Sequence, residues 1–173
     1  MSSVLVASRS EAITVMIHNR FDYENKLFYS SHTEHISPMS ELVKIYDDEQ
    51  MVERMFITGR EFQKLGLTAS EMLLTLSIII TFPDRVVLEK REEVQALQDK
   101  LVDALCLSIQ MNHPNDKGLL GRLLGNLAPI RELTLRANIA MPKIKNDWSK
   151  SCNIDPIWNK FITDCNAWSS NQM

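Results

Sequence analysis

The side chains best suited to metal binding or nucleophilic chemistry are four histidines and three cysteines. His32 and His35 offer two ring nitrogens at close spacing, but zinc takes three or four protein ligands, and no HExxH run or cysteine pair accompanies them. The pair reads as part of a surface loop. Cys106, Cys152 and Cys165 are too few and too irregularly spaced for a disulfide framework or a four-ligand zinc module, so they read as reduced thiols. No Ser/His/Asp set, glycine-rich phosphate loop or carboxylate dyad is placed so that it specifies a reaction. Neither enzymatic activity nor a metal is expected. Thr68-Ala69-Ser70-Glu71 has polar chemistry of another kind: it matches a capping box, in which hydroxyl and carboxylate satisfy backbone donors left free by the first helical turn.

The elements that must carry these residues are mostly helices. The nearly continuous apolar residues of Ser10 to Asn19 predict a largely buried helix, and Lys26-Leu27-Phe28-Tyr29 a small hairpin or extended segment. Ser37-Pro38 is a break, after which Met39 to Tyr46 suits a short helix and Glu49 to Lys64 an amphipathic one. The capping box starts a helix whose body, Met72 to Ile80, is apolar all round and therefore predicted to have neighbours on both sides. Phe82-Pro83-Asp84-Arg85 ends it. From Glu89 to Gln110, Val94, Leu97, Leu101, Leu105 and Ile109 form an apolar stripe. Asn112-His113-Pro114-Asn115-Asp116 is turn chemistry, and Gly118 to Ala140 is a Leu-rich helix that Pro129 is expected to kink or divide. The chain from Met141 reads as looser, with an apolar cluster at Ile157, Trp158, Phe161 and Ile162. Within the Leu-rich helix, Leu120-Gly121-Arg122-Leu123-Leu124 has the LxxLL form of helices that dock in apolar grooves. The same leucines, with Leu119 and Leu127, equally make the broad apolar face of a packed bundle helix, for core or dimer contact.

The 173 residues suit one domain, and 45% hydrophobic with 24% charged residues describe a chain that folds by burying surface. Five Gly and six Pro favour helices over a turn-dense sandwich. A net charge of -3 argues against direct nucleic-acid binding. The most apolar window, Met72 to Phe82, is about eleven residues against the roughly 20 a membrane-spanning helix needs, and the start of the chain lacks a secretory pattern, so an intracellular location is expected.

Beyond periodicity, Leu67-Thr68-Ala69-Ser70-Glu71-Met72-Leu73-Leu74, Phe82-Pro83-Asp84-Arg85, Glu93-Val94-Gln95-Ala96-Leu97-Gln98, Asn112-His113-Pro114 and Leu124 to Leu133 with Arg131 come in a particular order and spacing. Together they resemble a nuclear hormone receptor ligand-binding domain, over roughly Val4 to Ile162. The stretch Glu11 to Glu71 is similar to the retinoid-related orphan receptors and their invertebrate relatives. The resemblance implies an all-α layered helical sandwich with one small β-hairpin, a partial domain over residues 1–163 whose early helices are missing, and a flexible tail over 164–173.

It also implies transcription regulation in the nucleus, through a lipophilic ligand, coregulator proteins and a second nuclear receptor as dimer partner. Pocket positions carried over are Ile13, Ile17, Leu27, Phe28, Tyr29, Val43, Val52, Met55 and Phe56. A filled core is an equal reading of each, because pocket walls and packed cores share a composition. Glu71 would pair with Arg131, and Leu120, Arg122, Leu123 and Leu127 would belong to the dimer surface. Ile157, Trp158, Lys160, Phe161 and Ile162 resemble the activation helix, but Lys160 stands where the family carries Glu, which removes the negative half of a coactivator charge clamp. Ala137 and Trp158 occupy the positions of a His–Tyr lock in the orphan-receptor group, and Ala137 removes the His that haem-binding relatives use, so no haem is expected. The alternative is a truncated helical module that sequesters a partner receptor without ligand.

Overall fold

The structure, a computed structural model, describes residues 15, 18–30, 36–82 and 90–151. After a 3-10 turn at His18–Arg20 come three short strands, β1 (Phe21–Asp22), β2 (Leu27–Tyr29) and β3 (Ile36–Pro38). Five helices follow: α1 (Met39–Tyr46), α2 (Glu49–Gln63), α3 (Ala69–Ile80), α4 (Arg91–Asn112) and α5 (Leu119–Ser151). The fold is all-α apart from the small sheet, as expected. Of the predicted Ser10 to Asn19 helix, the described part comprises Val15, which is helical and fully buried, and His18 and Asn19 in the 3-10 turn.

The predicted hairpin has a third strand. β1, β2 and β3 pair antiparallel in that order, with Phe21 opposite Phe28 and Phe28 opposite Ser37. Ser37-Pro38, expected as a plain break, therefore closes the sheet, and Pro38, which has no N–H to give, takes the end position next to α1. The two-residue period sends Phe21, Phe28 and Ser37 to one face and Asp22, Leu27 and Tyr29 to the other. The β1–β2 turn is held by Asp22, whose carboxylate accepts from the Asn25 backbone N–H at 3.0 Å and its amide at 2.8 Å. Lys26 and Arg60 cover the Tyr23 ring at 3.9 and 3.8 Å, tying this turn to α2. A second tie is Gln63, whose amide donates to the carbonyls of His18 and Phe21.

Most of the described apolar core falls into two clusters. The larger contains Val15, Phe62, Leu65, Ile78, Ile79, Leu105, Ile109, Leu119, Leu123 and Ile130, and so joins α2, α3, α4 and α5. The smaller lies under the sheet, against α1 and the first half of α2.

Two expectations about the long helices are corrected. On α4, Leu97 is 51% exposed while Gln98 is buried, its amide donating to the Ile78 carbonyl at 3.4 Å. The inward stripe is Val94, Gln98, Leu101, Leu105 and Ile109, because α3 offers a carbonyl that a polar side chain can satisfy. On α5, neither Pro129 nor Pro142 divides the helix, which runs on to Ser151 past the point where a looser chain was predicted. α3 is also less enclosed than its composition suggests, since Leu73 is 64% exposed.

Candidate functional site

Five of the nine pocket positions meet in the smaller cluster. Val52 and Phe56 are fully buried on the inner face of α2; Phe28, Val43 and Met55 are half-buried against them. Asp48 starts α2 by accepting the Met51 N–H at 2.9 Å, which sets the phase that points Val52, Met55 and Phe56 at the sheet. Phe21 links strand to helix, its ring centroid 4.9 Å from Phe28 and 5.1 Å, edge to face, from Phe56. Leu27 and Tyr29 lie on the strand's other face, Tyr29 40% exposed, and are not part of the cluster. Ile13 and Ile17 lie outside the described residues.

Phe21, Tyr23, Met39, Leu42, Ile45 and Tyr46 also belong to this site and were not anticipated. Phe21 is the cross-strand partner of Phe28 and Tyr23 lies in the turn between them, while the other four depended on where α1 docks. Burial pushes the Tyr46 hydroxyl pKa up, so the neutral phenol persists and the site carries no charge there.

The polar site expected at Glu71 is built differently from its prediction. Thr68 and Glu71 form the capping box, the Thr68 N–H donating to Glu71 Oε2 at 2.8 Å and Thr68 Oγ1 accepting the Glu71 N–H at 3.3 Å. The rest of the carboxylate faces α4. Ser108 and Asn112 donate to Oε1 at 3.2 and 3.1 Å, and His113 Nε2 lies 3.0 Å from Oε2. Among the described residues the basic side chain within hydrogen-bond distance of Glu71 is thus His113; the guanidinium of Arg131, the predicted partner, lies 5.6 Å over the Phe82 ring. Glu71 is fully buried at a helix N-terminus that faces the end of α4, so donors from that helix reach it first. Burial raises its pKa, but the hydrogen bonds from Thr68, Asn112 and His113 outweigh that and hold it at about 2.

Ser108, His113 and Glu71 share residue types with an acyl-transfer triad, but not its geometry. Serine and histidine both bond the carboxylate, so no imidazole stands between nucleophile and acid to relay a proton. The cluster is a pin between α3 and α4. Among the described residues no group of three or more metal-binding side chains gathers, and no helix is long and apolar enough to cross a membrane.

The predicted dimer residues are divided by α5. Leu123 is fully buried in the larger cluster, with Leu120 and Leu127 packed half-buried beside it, so these three face inward. Arg122 is exposed and ion-paired with Asp116. Of the LxxLL leucines, Leu120 and Leu123 are therefore core, whereas Leu124 is 53% exposed. The outward face of α5 carries Gly121, Leu124, Gly125, Ala128, Leu135 and Ile139, the last 71% exposed. Leu124, Leu127, Ala128, Ile130 and Arg131 also border a cleft of about 380 Å³ with Ile79 and Phe82 of the α3 end. The activation-helix-like residues Ile157, Trp158, Lys160, Phe161 and Ile162 lie outside the described residues.

Comparison with known proteins decides the family. Residues 3–138 match the family described as the ligand-binding domain of nuclear hormone receptor. The chain belongs to that family. Its members are ligand-regulated transcription factors and not enzymes. The chain is 29% identical over 114 residues to peroxisome proliferator-activated receptor delta of Canis lupus familiaris, covering 66% of this chain and 26% of that receptor. It is 25% identical over 131 residues to vitamin D3 receptor B of Danio rerio, covering 76% of this chain and 31% of the other. Over 104 residues it is 29% identical to the probable nuclear hormone receptor HR3 of Drosophila melanogaster, covering 57% of this chain and 21% of that one. The matched stretch is thus less than a third of each of these receptors.

Proposed function

We propose that this chain is the ligand-binding part of a nuclear receptor of the retinoid-related orphan type, regulating transcription in the nucleus through a lipophilic ligand, coregulators and a receptor partner. One contrast between the two apolar clusters supports the ligand. In the larger, ten buried residues outnumber the eight partly buried ones packed against them, whereas in the smaller one Tyr23, Phe28, Met39, Val43, Ile45, Tyr46 and Met55 remain partly uncovered around a buried base of only Phe21, Leu42, Val52 and Phe56. A half-covered apolar wall with a few polar edges suits a lipophile. No haem is part of this reading, because Ala137 offers no iron ligand.

The test is titration with a fluorescent long-chain fatty acid, in the wild-type chain and in Val52→Phe, which fills the base of the wall. Saturable binding that Val52→Phe weakens about tenfold or more supports the pocket, since an overpacked site excludes ligand. Equal binding by both proteins places the lipophile elsewhere and defeats this reading. For coregulators we expect weak recruitment, because Lys160 replaces the acidic half of the clamp. Tight binding of an LxxLL peptide in fluorescence polarisation contradicts that.

The second reading, a module that sequesters a receptor through α5 without ligand, is favoured by the outward apolar residues Leu124, Leu135 and Ile139. Light scattering of the chain mixed with a retinoid X-type receptor domain separates the two. A heterodimer that forms without lipophile and is lost in Ile139→Glu supports sequestration; no heterodimer removes it.

A further inference from the structure

Asp47 and Asp48 form the elbow between α1 and α2, and each reaches a side chain on the second half of α5, 96 and 88 residues away in sequence. Asp48 divides its two oxygens. Oδ1 accepts the Met51 N–H and starts α2, while Oδ2 accepts from Arg136 Nη2 at 2.7 Å. Both side chains of that pair are 30% exposed, so solvent only partly screens it. Glu132 lies 3.9 Å from the other terminal nitrogen of Arg136, one turn earlier on α5. The second rung joins Lys143 Nζ to Asp47 Oδ2 at 2.5 Å, with Asp47 in a left-handed conformation at φ 55°. The hydrogen bond and charge of Lys143 hold the Asp47 carboxyl below its usual range. This rung is exposed and secondary; the Asp48–Arg136 pair is the directional one.

What stands at each end gives the pairs a meaning. Val52 follows Asp48 by one turn and Met55 by two, both in the half-open cluster. Arg136 on α5 is flanked by Leu135 and followed by Ile139, which are exposed on the outward face. Helix α2 is a stiff rod, so repacking around Val52 and Met55 shifts its first turn, and a charge-assisted hydrogen bond transmits a shift that sliding apolar contacts would absorb.

We propose that the Asp48–Arg136 pair, backed by Asp47–Lys143, is a strut that couples the packing of the smaller apolar cluster to the second half of α5 and its outward face. The inference rests on reading that cluster as the ligand wall and that face as the partner surface. A ligand acts through the strut only as far as it favours one packing of the cluster over another.

Amide exchange read by mass spectrometry tests the strut with no ligand at all. Asp48→Asn keeps the oxygen that caps α2 and removes the charge. In that variant, exchange over residues 136–147 should rise about fivefold, as for loss of one partly shielded ion pair, with α3 and α4 unchanged. Met55→Ala should alter exchange over 136–147 in the wild-type background and clearly less in the Asp48→Asn background. Val43→Ala, at another half-buried wall position, provides the same comparison if Met55→Ala does not fold. Equal effects in both backgrounds, or no change over 136–147 in Asp48→Asn, overturn the strut. Failure of the wild-type chain to bind the fluorescent fatty acid overturns the pocket reading instead and leaves the exchange result standing.

Discussion

At the residue scale, Glu71 shows how one carboxylate can keep its predicted capping role and take other partners than the predicted Arg131. Its capping role was legible, because Thr68 three residues earlier is all that motif requires. Its other partners were not: Ser108, Asn112 and His113 lie about forty residues on, and only the docking of α4 brings them together. Burial alone would raise the Glu71 pKa, but the hydrogen bonds from Thr68, Asn112 and His113 favour the charged form so strongly that it falls from 4.5 to about 2. Because the folded value is depressed, the stabilisation is fully present above the unfolded value and is lost as pH falls through the folded one. A shift of that size corresponds to about 3 kcal/mol, released between roughly pH 4.5 and 2. Glu71→Gln should therefore lose about 3 kcal/mol at neutral pH and show a flatter acid limb. Urea denaturation at a series of pH values measures both, and an unchanged acid limb would contradict the assignment.

At the element scale, the same substitution should have opposite signs on two helices. Gly59 sits where α2 crosses the start of the sheet, and a Cβ there would come within 2.9 Å of Phe21 Cβ and 3.0 Å of the His18 carbonyl oxygen. Gly59→Ala must push the sheet away from α2, at a cost of about 1–3 kcal/mol. Gly125 lies on the outward face of α5 with nothing within 4 Å of an added Cβ. Gly125→Ala should stabilise the chain by up to about 1 kcal/mol, through helix propensity alone. Thermal melting of the two variants beside the wild type reads both signs in one experiment. The sequence distinguished these glycines poorly, since each stands within a helix pattern and only the approach of another segment gives one of them a purpose. The same limit explains Leu97 and Gln98: periodicity places a stripe to within about one residue, and a carbonyl on α3 decides which neighbour turns inward.

At the scale of the whole molecule, the helical order and the family were legible because caps, turns and apolar periods are local, and because the family's segments keep their spacing along the chain. The division into two apolar clusters was not, since leucine, phenylalanine and methionine look alike in a filled core and in a pocket wall. Packing separates them, and energetics should follow. Leu123 is fully enclosed by the larger cluster, so Leu123→Ala leaves a cavity that the surrounding helices cannot close and should cost about 3–5 kcal/mol. Val43 belongs to the smaller cluster and is already half-uncovered. Val43→Ala there removes less buried surface and opens no sealed void, so it should cost about 1 kcal/mol or less. A bound lipophile should reverse the order of sensitivity in its own region. Ligand that binds the folded state alone raises stability in proportion to the logarithm of its excess over Kd. Val43→Ala should therefore reduce the rise in Tm given by a saturable fatty acid, while Leu123→Ala should leave that increment intact on a lower baseline. Equal loss of the ligand increment in both variants would mean that the two clusters respond as one core.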